Sequence, residues 1–170
     1  MSVNVVHYRH QGEVSWGVAR EGRITPLPGS YATTGEFLQH GAAAARALAG
    51  GANGGVLVEA EVEILCPITR NQQFVCQAVN YRDHMIDSGI DPDQQPYNIF
   101  FRKASSCLAP ADTDVVRPRH VVMLDYEVEL GLVIGREITA PLEVTPATLH
   151  EVVAALVLVN DVSARDVQVP

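Results

Sequence analysis

Asp125-Tyr126-Glu127-Val128-Glu129-Leu130, running on into Gly131-Leu132-Val133-Ile134-Gly135, alternates acidic and apolar side chains and reads as a β-strand. Side chains of a strand alternate between faces, so Asp125, Glu127 and Glu129 share one face and Tyr126, Val128 and Leu130 the other. Carboxylates at i and i+2 lie about 6.6 Å apart and repel by roughly 2–3 kcal/mol at an effective dielectric of about 20. A hard divalent cation between them turns that repulsion into binding, taking carboxylate oxygens at about 2.0–2.6 Å. The competing reading is an edge strand with a wet acidic face, and the rest of the chain must decide.

The chain has 170 residues, 47% hydrophobic and 19% charged, enough for one sizeable domain or a small domain joined to part of a larger one. A formal net charge of −8 and the lack of a basic patch with interleaved aromatics argue against nucleic acid or an anionic membrane as partner. The longest apolar run, Val152 to Val159, is far too short to span a bilayer, and the first residues lack the form of a secretion signal. Cys66, Cys76 and Cys107 are odd in number without C-x-x-C spacing, which suits free thiols in a reducing compartment and makes the cytoplasm the expected location.

From the N-terminus, strands are expected over Asn4–Tyr8, Val14–Ala19 and Arg23–Leu27, with turns at Gly12 and Glu21-Gly22. Helix is expected over Thr34–Leu38 and Ala42–Leu48. Gly50 to Gly55 is a flexible turn rather than a phosphate loop, since no Gly-Lys-Ser/Thr follows and no strand precedes it. Val56 to Leu65 alternates like one strand, closing a small α+β module over residues 1–65. Beyond it, residues 66–170 carry expected strands at Phe74–Val79, Asn98–Phe101 and Val115–Pro118, and Pro146 to Leu158 reads as a helix passing into a buried strand.

Three further stretches carry chemistry. A helix from Tyr81 puts His84 and Asp87 at i and i+3, an imidazole beside a carboxylate suited to proton transfer; a surface pair is the alternative. Arg102-Lys103-Ala104-Ser105-Ser106 at a strand end offers two cations and two hydroxyls to a carboxylate, or is a solvated loop. Asp161, directly after an apolar strand, is placed to complete a metal site begun on a neighbouring strand. Asp161 or Ser163 also reads as a helix cap, Ser163 forming a capping box with Asp166.

Asn80–His84 (NYRDH), Phe100–Ser106 (FFRKASS), Asp125–Arg136 (DYEVELGLVIGR) and Asn160–Gln168 (NDVSARDVQ), in that order, resemble the fumarylacetoacetate hydrolase family over residues ~64–170. The resemblance implies an α+β, mainly β fold, a mixed β-sandwich roll preceded by a small N-terminal α+β domain, and a homodimer. It also implies one Mg²⁺ or Mn²⁺ per subunit, with Ca²⁺ as a stand-in. Glu127, Glu129 and Asp161 fall on the family's metal carboxylates, His84 on its catalytic histidine and Gln168 on a pocket glutamine; Lys103, Ser105 and Arg165 lie in motifs that would face substrate. Two departures stand out. Close relatives partner the histidine with a Glu where this chain has Asp87. Family members also continue past the Gln into a segment bearing an active-site lysine, so a fragment of a longer polypeptide is expected.

The implied chemistry is metal-dependent C–C bond hydrolysis of a 2-oxo or 1,3-dicarbonyl acid of the acylpyruvate kind met in aromatic catabolism, through a metal-stabilised enolate. His84, oriented by Asp87, would activate water or carry a proton. Decarboxylation of oxaloacetate-like acids and isomerisation of hydroxymuconate-like acids use the same electron sink and stand as alternatives. So does a metal-binding fragment without catalysis. A binding domain with decorative acids is the last alternative, and it would show no thermal shift with Mg²⁺. A mobile lid is expected between His84 and Phe100.

Overall fold

The computed structural model describes residues 2–51, 56–94 and 97–168. Most of the Gly50–Gly55 turn and part of the expected lid (95–96) lie outside the described residues.

The N-terminal half is built on antiparallel hairpins. Strands β1 (Val5–His10), β2 (Glu13–Arg20) and β3 (Arg23–Pro26) are joined by two-residue turns at Gln11-Gly12 and Glu21-Gly22. All four turn residues have positive φ, from 50° to 88°, the backbone of the tight turn whose twist matches paired strands. Strands β4 (Leu57–Val58) and β5 (Glu63–Leu65) complete a sheet ordered β4-β3-β2-β1-β5. The single strand expected over Val56–Leu65 is therefore two. One part pairs with β3 and the other with β1, at opposite edges, with a turn over Glu59–Glu61 between. Flat, those edges would stand about 19 Å apart, at about 4.8 Å per strand spacing. Residues 59–62 can bridge them only if the sheet curls.

Helix fills the open side. Thr33 caps α1 (Thr34–Glu36) by accepting from the Glu36 N–H at 3.1 Å, and the Glu36 carboxylate reaches back to the Ala32 N–H at 2.8 Å. A π-helical segment, Phe37–Gly41, continues into α2 (Ala42–Ala49), so the two expected helices are one run. Trp16, Val18, Leu27, Phe37 and Ala45 form the core. The Trp16 ring stacks between His7 and Phe37, with both centroid distances 4.5 Å. Thr34 then fastens the following chain: its hydroxyl donates to Pro67 O at 2.8 Å, and the Thr69 N–H donates to that hydroxyl at 2.9 Å.

The second half consists of β6 (Phe74–Ala78), α3 (Arg82–Asp87), β7 (Ile99–Lys103), β8 (Leu124–Asp125), β9 (Val128–Ile134), β10 (Val153–Asn160), β11 (Ser163–Ala164) and α4 (Arg165–Gln168). They pair antiparallel as β6 with β7, β8 with β11 and β9 with β10. Two expectations fail here. Val115–Pro118 is not a strand: Pro118 has no N–H for a ladder, its carbonyl accepts from the Val121 N–H at 3.0 Å, and the Arg117 guanidinium donates to Val121 O. Nor does Pro146 open an α-helix. The Thr145 and Thr148 hydroxyls bond backbone locally, which competes with helix, and only a 3₁₀ turn at Leu149–Glu151 precedes β10. Among the described residues no helix is long and apolar enough to cross a membrane.

Candidate metal and active site

The acidic stretch is not one uninterrupted strand, because ladder bonding lapses at Tyr126-Glu127 between β8 and β9. Its face pattern nevertheless survives. Asp125, Glu127, Glu129, Gly131 and Val133 are half-buried, while Tyr126, Val128, Leu130, Leu132 and Ile134 are exposed. The flanking ladders keep one register, with Ser163 opposite Asp125 and Val159 opposite Glu129. In that register Asp161 faces Glu127, and the Asp161 N–H donates to Glu127 O at 2.7 Å. The Glu127 N–H donates instead to the Asn160 side-chain carbonyl at 3.1 Å, which accounts for the lapse in the ladder. Two acids from the links between β8 and β9 and between β10 and β11 thus stand side by side, with Glu129 two residues along the same face. Like charges directly opposite destabilise a ladder unless a cation lies with them.

Two cations of the chain do lie there. The Lys103 ammonium, at the end of β7, pairs with Asp161 Oδ1. Arg165, opening α4, spans Asp125 at 3.0 Å and Glu127 at 2.7 Å, and donates to Gln168 Oε1 at 3.1 Å. The Asp161 and Glu127 side chains keep 15% and 22% of their accessible surface, so these charges meet in a partly dehydrated setting where attraction exceeds that of surface pairs. Cys76 on β6 borders the same place. Burial pushes its thiol above the ordinary range, Lys103 pulls it down and Glu129 pushes it up, so it stays protonated at neutral pH.

The donor set fits a hard divalent cation. Three carboxylates share the face, and Asp161 Oδ1 is buried without a hydrogen bond among the described residues, facing only the Lys103 ammonium. As they stand, no three His, Cys, Asp or Glu side chains among the described residues gather closely enough to hold an ion. Arg165 draws Glu127 toward Asp125, and Lys103 covers Asp161.

His84 and Asp87 lie exposed on α3, with no hydrogen bond joining them among the described residues. Ser105 is half-buried at the start of a 3₁₀ turn just after Lys103. The Ser163–Asp166 capping box does not form. Ser163 donates to Asp161 O at 3.2 Å, while the Asp166 carboxylate accepts from the Val122 and Met123 N–H groups at 2.8 and 3.2 Å. The Val122 bond is the largest of several effects that hold Asp166 below the usual carboxylate range. Asp125 joins the acidic cluster through Arg165, and Asp166 anchors the backbone ahead of β8. Asp125 was visible on the acidic face, whereas nothing local marks Asp166. An apolar cleft of about 300 Å³, lined by Ala78, Val79, Ile90, Asp91, Gln94 and Ile99, opens at the end of β6 just ahead of α3. Val79 there has φ 34°, a strained conformation for a β-branched residue.

Residues 73–170 match the family described as fumarylacetoacetate (FAA) hydrolase, C-terminal. The chain belongs to the fumarylacetoacetate hydrolase family. It is 40% identical over 140 residues to human oxaloacetate tautomerase FAHD2A, mitochondrial, covering 80% of this chain and 42% of that protein. It is 33% identical over 111 residues to the Bacillus subtilis oxaloacetate tautomerase YisK, covering 64% of this chain and 36% of that protein. The chain therefore spans about two fifths of the length of these curated relatives. The solved fumarylacetoacetate hydrolase of Exiguobacterium antarcticum shares the mainly β fold, with TM-score 0.67 at 24% identity over 98% of this chain and 58% of that one.

Proposed function

We propose that this protein, alone or as part of a longer chain, is a divalent-metal-dependent enzyme that interconverts the keto and enol forms of a small 2-oxo dicarboxylic acid of the oxaloacetate class. The observation that carries the reading is the pairing of Glu127 with Asp161, Glu129 beside them, on a face whose acids are already held by Lys103 and Arg165. The names of two relatives, both oxaloacetate tautomerases, move the reading from the C–C hydrolysis expected from sequence toward proton transfer at carbon. Glu127, Glu129 and Asp161 would hold Mg²⁺ or Mn²⁺. When bound, the ion supplies Lewis-acid stabilisation of the developing enolate.

The chain's own residues do the rest. His84 carries the proton to and from the substrate carbon, with Asp87 one helical turn away to orient it. Arg165, Lys103, Ser105 and Gln168 present the cations and polar groups that bind and orient a dicarboxylate. The homodimer expected from the resemblance belongs to the same proposal. The test follows decay of the enol absorbance of freshly dissolved oxaloacetate with protein plus Mn²⁺, with EDTA, and without protein. Metal-dependent acceleration supports the reading. No acceleration, but release of pyruvate from an acylpyruvate, would restore the hydrolase reading, for which a histidine–acid pair is equally suited.

A further inference from the structure

The chain has eleven arginines and one lysine, and that lysine is the residue whose side chain meets Asp161. An ammonium differs from a guanidinium in ways that matter here. It is a compact, strongly hydrated point charge on a flexible stem, and it makes no planar two-pronged grip on a carboxylate. Arg165 shows the contrasting arrangement on the same face, bridging Asp125 and Glu127 and tied to Gln168. Where this chain needs a fixed cation it has Arg; where its cation lies on the buried oxygen of Asp161 it has Lys.

We propose that Lys103 is the resident counter-ion of the acidic face, and that a divalent ion enters by displacing its ammonium from Asp161. This rests on the reading of Glu127, Glu129 and Asp161 as metal ligands. Asp125, Glu127, Glu129 and Asp161 carry four negative charges, and Lys103 and Arg165 return two. The cluster is left with the charge that one divalent ion neutralises. Displacement sets two properties together. Lys103 weakens metal binding, because the ion must replace an existing partner and then sit near its charge. It also ties the free ammonium to metal occupancy: only with the ion in place is the Lys103 cation released toward the mouth of the site, where an acid substrate binds. Metal binding is thereby made to precede binding of the anion.

Calorimetric titration of Mn²⁺ into the wild-type protein and the K103M and K103R variants tests this. K103M is expected to bind Mn²⁺ about tenfold more tightly than wild type, the scale of removing one unit charge from beside a divalent ion in a partly hydrated site. K103R is expected to bind no more tightly than wild type. Equal or weaker binding by K103M, with wild type binding normally, overturns the proposal while leaving the metal site standing. No binding by the wild type removes the metal reading and this proposal with it. A second measurement needs no variant. Acetylation by an amine-reactive reagent, read on the peptide that carries Lys103 by mass spectrometry, reports on this side chain directly. Displacement predicts that Mn²⁺ speeds acetylation of Lys103 several-fold and that EDTA reverses this. Unchanged or slower acetylation with Mn²⁺ bound overturns the proposal.

Discussion

Asp161 and Glu127 face each other in the gap between the β8–β11 and β9–β10 ladders, joined through their backbones by a 2.7 Å hydrogen bond. The backbone thus fixes two carboxylates as neighbours and leaves their repulsion to be met by cations, either side chains of the protein or a bound metal.

The first prediction is that Mn²⁺ raises the melting temperature of the wild type and not of D161N or E127Q. An ion that binds only the folded state at about 100 times its dissociation constant adds about 2.7 kcal/mol. Each substitution removes one hard oxygen donor, and D161N also leaves Lys103 without its partner. Differential scanning fluorimetry across a Mn²⁺ series measures the shift. A full shift in D161N would show that the metal is held elsewhere.

The second prediction separates chemistry from metal binding. His84 and Asp87 sit on α3, apart from the β8–β9 and β10–β11 segments that carry the acids. H84Q is expected to lower metal-dependent turnover by about 10²–10⁴-fold, the usual contribution of a positioned acid–base group, with Mn²⁺ affinity unchanged. D87N is expected to fall between H84Q and wild type, since it keeps the imidazole and alters only its orientation. Steady-state rates beside Mn²⁺ titrations of the same samples decide this.

These predictions draw on residues that were readable from sequence in different degrees. The hairpins at Gln11-Gly12 and Glu21-Gly22, the helix bearing His84 and the alternating acidic face are encoded by neighbours in sequence, and all are present. The ion pairs that organise the site are not local. Lys103 meets Asp161, and Arg165 meets Asp125, only once separate strands are brought together. The same limit explains two misreadings. Val56–Leu65 alternates like one strand, and only the sheet order shows that its halves belong to opposite edges. Ser163 and Asp166 have capping-box spacing, yet the Asp166 carboxylate binds backbone more than forty residues earlier.

That anchor gives the third prediction. Asp166 accepts from the Val122 and Met123 N–H groups, and the Arg165 N–H donates to Met123 O at 2.8 Å, so the approach to β8 hangs on α4. The folded carboxyl lies below its ordinary value, chiefly through the Val122 bond. Its contribution to stability is therefore fully present above the unfolded pKa of about 3.9 and is lost as pH falls through the lower folded value. D166A removes that contribution. The wild-type advantage over D166A should be constant near neutral pH and shrink below about pH 4, followed by chemical denaturation at each pH. An advantage that does not shrink in acid would place the role of Asp166 in its shape and not its charge.

The fourth prediction concerns the N-terminal core. Ile24 is fully buried, and its Cγ2 would lie 2.5 Å from a Cβ placed on Gly17, with Thr25 O at 3.0 Å. Strands β2 and β3 approach so closely there that Gly17 makes room for Ile24. I24A leaves a cavity and should cost about 2–5 kcal/mol. G17A is also destabilising, because its methyl collides with a side chain that has no free space to enter. The two effects should not add. In G17A/I24A the shortened side chain at 24 removes the closest contact and the new methyl takes up part of the vacated volume, so the double variant should be less destabilised than the summed singles. Trp16, the chain's one tryptophan and the residue beside Gly17, reports unfolding of this module by fluorescence in urea. Strict additivity would mean that the strands separate to admit the methyl, and that the close approach of β2 and β3 is not set by Gly17.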